Sequence, residues 1–255
     1  YAAAKANAPV EERLQAIAQY PVQGRQRDDY VLEVAKVYCL AGDYAQAKAL
    51  MLSHRFMPAE GGELAINRVH LHIRQHEVRA ALAAGNAAEA HILAQHPEAL
   101  PENLHSGFWR QSEMVPLRYY GAVALAQMGR TEEAAEQYRL VLRRFSAKLP
   151  DMAFYYAQAM KALGKEIEAR TYLSRILEAL DFRDAHPAYG WEDMISEFNS
   201  YMNDPQAQRD GMTCYWRAMV QRCAGNTAAA RTLLEKSLRL WPENIAAAQE
   251  LEFLA

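Results

Sequence analysis

Three histidines, His70, His72 and His76, fall in one stretch of helical apolar spacing, and the last two are four residues apart. That offset puts two imidazoles on one helix face, as a metal pair needs. Zinc chemistry also wants a third ligand, and neither a His-Glu-x-x-His run nor any other fixed spacing assigns one. Cys39, Cys214 and Cys223 form no Cys-x-x-Cys pair and are odd in number, which argues against a disulfide framework or a thiolate zinc site. The acidic pairs Glu132–Glu133 and Glu192–Asp193 are adjacent in sequence, so helical geometry points each pair apart. Glycosidase-type acid/base work needs two carboxylates facing across a cleft. No phosphate-cradling glycine loop and no Gly-x-Ser-x-Gly elbow occurs. The expectation is a chain with no catalytic residue, no metal and no cofactor.

The elements that would carry such residues are helices. Of 255 residues, 47 are Ala, whereas Val, Ile and Thr number 11, 8 and 5. Strong helix formers dominate and strand formers are scarce, so the fold class is all-α. Hydrophobic residues make up 51%, enough for a sizeable core. Twenty-eight Lys+Arg against 31 Asp+Glu leave a net charge of −3, which excludes nucleic-acid binding through bulk positive field. No apolar run approaches the length of a membrane span, so no membrane partner is expected. Three free thiols fit a reducing, cytoplasmic setting. Tyr1 in place of an initiator Met sets the expectation of a piece of a longer polypeptide.

Five segments share a Gly, four residues and an Ala, starting at Gly42, Gly85, Gly129, Gly164 and Gly225. Seven residues before four of these glycines stands another Ala (Ala35, Ala122, Ala157, Ala218), with Val78 in the second segment. A Gly ends one helix in a left-handed cap, and a following Asp43, Asn86 or Asn226 can start the next. Small side chains let paired helices approach closely. With Pro242 seventeen residues after the last Gly, the pattern resembles the tetratricopeptide repeat (TPR). The resemblance implies a right-handed TPR superhelix of about five helix pairs, a single solenoid over 1–255. Its units fall at about 29–56, 64–96, 114–146, 150–180 and 208–241, with an opening helix at about 9–20 and a capping helix at about 243–254. The pivots are 43, 44, 35 and 61 residues apart, and a plain unit is about 34. The excess falls in connectors at 54–63, 96–111 and 180–205, the last reading as an extra helix at about 191–202.

Register counted from the pivots turns Lys36, Gln75, Arg79, Tyr119, Phe154, Gln158, Lys161, Tyr215 and Arg222 towards the concave face of such a solenoid. Cations mixed with aromatics suit a carboxylate-bearing protein or peptide, as they also suit the ordinary surface of a charged solenoid. The clamp of chaperone-tail-binding repeats is not reproduced, because Leu32 holds a place where that clamp wants a cation. Charge reversal at Arg79 and Arg222 is expected to weaken partner binding without unfolding the array.

The connectors read RFMPAEGGE over 55–63 and LPENLHSGFW over 100–109. Clustered Pro and Gly give loops of defined shape, and such loops often carry function. These two segments resemble loops in the C-terminal TPR region of a family of large bacterial proteins, the YphG type, in which a mutarotase-like, sugar-related β-sandwich region precedes the repeats. Ala59 stands where that family commonly has an aromatic. The resemblance implies that Glu60, Gly61, Gly62, Glu63, Pro101, Glu102, Asn103 and Trp109 contact the upstream region of the same polypeptide, or a carbohydrate. Phe108, Trp109, Tyr189 and Trp191 offer faces for a sugar ring, or pack the connectors onto the solenoid. The expected function is non-catalytic protein binding and scaffolding. The alternative is a helical region completing the substrate site of a carbohydrate-processing enzyme through Glu60, Glu63 or Glu102. A third is self-association through Leu251, Phe253 and Leu254 at the closing end.

Overall fold

The computed structural model describes residues 8–19, 27–57, 63–105, 114–143, 150–186 and 205–254. Among them are twelve α-helices and no strand. They are α1 (Val10–Gln19), α2 (Asp28–Leu40), α3 (Tyr44–Ser53), α4 (Glu63–Ala83), α5 (Ala87–Ala94), α6 (Val115–Gln127) and α7 (Thr131–Arg143). Then come α8 (Ala153–Ala162), α9 (Glu166–Ala185), α10 (Pro205–Cys223), α11 (Thr227–Leu240) and α12 (Ile245–Glu252). Single 3-10 turns occupy Glu102–Leu104 and Pro150–Met152. The chain divides into two compact units, Pro9–Arg144 and Phe145–Ala255.

Every repeat glycine is a helix stop. Gly42, Gly85, Gly129, Gly164 and Gly225 have φ between +74° and +79°, the left-handed region that costs an L side chain. The residue after each one donates its N–H five residues back, as in Asp43 to the Tyr38 carbonyl at 2.9 Å and Asn86 to Ala81 at 2.9 Å. The next helix then starts on a polar side chain in two of these hairpins. Asp43 accepts from the Gln46 N–H at 3.0 Å, and Asn86 accepts from Glu89 at 3.4 Å. Asn226, expected to act likewise, instead donates its amide to the Gln221 side chain at 2.8 Å.

The ten small positions flanking the pivots are the hairpin contacts. Ala35, Val78, Ala122, Ala157 and Ala218, with Ala47, Ala90, Ala134, Ala169 and Ala230, are all at most 2% exposed. In the first unit α2–α3, α4–α5 and α6–α7 are hairpins, and both helices of each pack on the first helix of the next (α2 and α3 on α4, α4 and α5 on α6). In the second unit α8–α9 and α10–α11 pair, α8 packs on α10, and α12 closes against α11. One hairpin cannot bury its own apolar face, so such neighbours are obligatory.

The tightest crossing is between α10 and α11. Ser237, fully buried, donates to the Gly211 carbonyl at 2.6 Å and accepts from Asn244 at 2.9 Å. A Cβ on Gly211 would lie 2.8 Å from the Trp241 Cβ and 3.1 Å from the Ser237 carbonyl oxygen. Gly211→Ala is therefore expected to destabilise the second unit by about 2 kcal/mol through forced overpacking. Gly121→Ala, whose Cβ meets only the Ala94 Cβ at 3.2 Å, is expected to cost less. Denaturant midpoints of the two variants check the order.

Candidate functional site

The first unit contains an open cleft of about 460 Å³, floored by α4 and walled by α3 and by α5 with the segment after it. α5 ends at Ala94, and the chain turns away through His96, which has φ of +47°. Arg74 of α4 fixes that exit. Its guanidinium donates to the carbonyls of Leu93 (3.2 Å), Gln95 (2.9 Å), His96 (3.3 Å) and Pro97 (3.4 Å). Across the floor Lys48 of α3 holds Glu77 of α4 at 2.5 Å. Leu52 and Ile92 line opposite walls and are 43% and 66% exposed. His70, at the base, is 7% exposed. Burial first, and then the cations Arg74 and Lys48, push its imidazole down to about 4.

The residues expected on a concave groove sit largely in the seams between successive first helices. Gln75 and Arg79 are buried, and the Arg79 guanidinium lies 5.4 Å over the Tyr120 ring of α6. Lys36 pairs with Glu33 one turn away, and Tyr119 meets Tyr120 edge-on with centroids 5.2 Å apart. In the second unit Phe154 and Tyr215 are buried. Arg222 of α10 lies 4.3 Å over Phe154 of α8 and is ion-paired with Glu250 of α12. Lys161 of α8 donates to the Cys223 carbonyl of α10 at 2.5 Å, and Gln158 is half-buried. Arg79, Lys161 and Arg222 bridge helices, so reversing Arg79 or Arg222 would disrupt packing instead of leaving the array intact. Gln75, Arg79, Phe154 and Tyr215 are buried, while Lys36, Tyr119, Gln158, Lys161 and Arg222 keep part of their surface exposed.

Among the loop residues, Glu60, Gly61, Gly62, Phe108, Trp109, Tyr189, Trp191 and the expected helix at 191–202 lie outside the described residues, and Glu63 opens α4. The Pro101–Leu104 turn plugs the end of α3. Asn103 donates to the carbonyls of Met51 (2.8 Å) and His54 (2.7 Å), while its own carbonyl accepts from the Phe56 N–H at 2.8 Å. Leu104 and Phe56 are both fully buried beneath it. On the other side of the same end, Asp28 accepts from His54 at 2.8 Å and from the Met57 N–H at 2.6 Å. Glu102 stays exposed at the turn. The shaped loop read from the sequence is thus a plug holding two hairpins together at Asn103 and Leu104.

His70 lines the cleft, and His76 stacks on Tyr44 with centroids 3.8 Å apart. Among the described residues no three His, Cys, Asp or Glu side chains gather as a metal ion would need. The three thiols are free and buried, and burial raises Cys39 and Cys223 to about 12. No described helix is long and apolar enough to cross a membrane. Comparison with known proteins adds no identity: no family model, no curated protein and no solved structure matches the chain. Sequence reasoning missed the cleft and its key residue Arg74, whose partners lie 19 to 23 residues away along the chain.

Two outcomes follow from this geometry. Asn103→Asp replaces a donor by a carboxylate facing two carbonyls, and is expected to cost about 3 kcal/mol. Faster hydrogen exchange at the Phe56 amide would accompany it. The second concerns His70. An unfolded histidine protonates near pH 6.5, whereas the folded one resists to about 4. Its stabilising contribution is complete above about pH 6.5 and drains as pH falls towards 4, because only the unfolded state takes the proton. Between pH 7 and 4.5 the native chain should lose about 2 kcal/mol more than His70→Gln, read from urea midpoints.

Proposed function

We propose that the chain is a non-catalytic binding and scaffolding module of the tetratricopeptide-repeat kind, acting on a protein or peptide partner. The observation that carries this is the repeated hairpin: five left-handed glycine stops, each flanked by two small residues at most 2% exposed. Such arrays build stability from neighbour-to-neighbour contacts and leave their surfaces to recognition. Their chemistry is presentation, and the fold itself fixes no reaction.

The setting belongs to the same reading. Buried free thiols with raised pKa suit a reducing cytoplasm. The connectors at 55–63 and 100–109 favour a place in a larger bacterial protein of the carbohydrate-related YphG type, with the upstream region of the same polypeptide as a candidate partner. The sugar-site alternative draws no support from the Pro101–Leu104 turn, whose Asn103 is engaged in holding α3.

Selection of a random 12-residue peptide library on the whole immobilised chain tests the reading. Recovery of sequence-defined peptides with micromolar Kd by calorimetry is expected. No selectable peptide, together with oligosaccharide binding that falls on changing Glu60, Glu63 and Glu102 to Ala, would overturn it in favour of the carbohydrate reading.

A further inference from the structure

Large apolar side chains are rarely left in water without a reason when they gather at one concavity. Among the described residues five large apolar side chains are exposed, and two of them, Leu52 and Ile92, line the same cleft from α3 and from α5. Between them the floor offers Ile73, buried at 1%. The volume, about 460 Å³, falls in the range of ligand sites. That space admits one or two aliphatic side chains of a partner.

The charges of the lining are unequal in sign. Lys48 and Arg74 share the lining with one carboxylate, Glu77, which Lys48 engages at 2.5 Å, and Glu98 acts on Arg74 from just beyond the lining. Arg74 makes its hydrogen bonds to main-chain carbonyls. A partner bringing further cations would meet like charge in a partly desolvated place, whereas a carboxylate beside an aliphatic anchor would complement it. The Lys48 side chain is 43% exposed, and its ammonium carries three donors, more than its one bond to Glu77 uses.

From this we infer that the α3–α4–α5 cleft is a docking site for a peptide segment that inserts an aliphatic side chain between Leu52 and Ile92 and places an adjacent Asp or Glu beside Lys48. The site lies on the second-helix side of the first two hairpins, away from the seams that take up Arg79 and Arg222. The inference rests on the binding-module reading and sharpens it to a partner chemistry.

The test uses the whole chain and three sets of fluorescein-labelled 12-residue peptides, read by anisotropy. One set carries a central Leu or Ile flanked by Glu or Asp; the second replaces the acids by Lys; the third replaces the aliphatics by Ser. Saturable binding by the first set, at least tenfold tighter than by either other set, is expected. Leu52→Ser with Ile92→Ser should weaken it tenfold or more, and both positions are exposed enough for the fold to survive. Lys48→Gln should abolish the preference for acidic over basic peptides. Equal affinity for the Lys-flanked or Ser-substituted sets, or binding unmoved by the double Ser variant, would overturn the inference. So would failure of every acidic–aliphatic peptide on a chain that still selects other library peptides, an outcome that leaves the binding-module reading standing. A chain that selects none removes both.

Discussion

The last carbonyls of an α-helix have no partner inside the helix, and in a stack of short helices most of them are close to apolar neighbours. How those carbonyls are satisfied organises this protein. First helices of the pairs end locally: the chain folds back through a left-handed glycine, and its own N–H groups close on the terminal turn. Three second helices, α3, α5 and α9, end on side chains from elsewhere, whereas α11 ends on its own backbone, the Trp241 N–H donating to the Ser237 carbonyl. Asn103 takes the end of α3, Arg74 that of α5, and Arg209 of α10 donates to the Arg183 and His186 carbonyls at the end of α9. Arg231 of α11 does the same beyond the closing helix, at the Leu254 carbonyl. A cation or amide is well suited to the task, since it meets the negative end of the helix dipole as well as the orphan oxygens. The ends of α3 and α9 are thus completed by residues of the following hairpin or the turn after it, whereas α5 is completed within its own hairpin by Arg74 of α4.

The same economy of charge explains the seams. Arg79 over Tyr120 and Arg222 over Phe154 join successive first helices by laying a guanidinium on an aromatic face. Glu250, 2% exposed, meets Arg222 there and ties α12 to α10. Burying that pair costs desolvation that the attraction roughly offsets, so its contribution lies in fixing where α12 sits more than in net stability. Removing one partner alone would leave an uncompensated buried charge.

What the sequence made legible is what is local. The glycine stops, the small residues five after and seven before them, and the Asp43 and Asn86 caps all lie within a dozen residues, and the structure places them as the spacing requires. Register could also say which face Arg79 or Phe154 occupies. It could not say how near the next helix comes, and that distance buries Arg79 and Phe154 in a seam. Asn103 was singled out as part of a shaped loop, but its partners are 49 and 52 residues away, beyond any pattern in one chain. Arg74 gave no signal beyond an Arg on an amphipathic helix, where a solvated face is the ordinary reading.

The position of the cleft follows from unequal helix lengths. α4 has 21 residues and α5 has 8, about 32 Å against about 12 Å of helix, so α5 stops short and leaves part of α4 to be covered by the 95–101 segment. The reverse mismatch occurs in the second unit, where α8 has 10 residues and α9 has 20. There the overhang is covered: Arg217 of α10 reaches Asp181 and Asp184 of α9 at 2.7 Å each, and Arg183 lies 4.9 Å over the Trp216 ring. One mismatch is closed by ion pairs and an aromatic; the other is closed only at its rim by Arg74, leaving Leu52 and Ile92 in water. The glycine stops and the buried Ala positions recur in both units, so it is the difference in length between the two helices of a hairpin that sets how much surface is left to be covered.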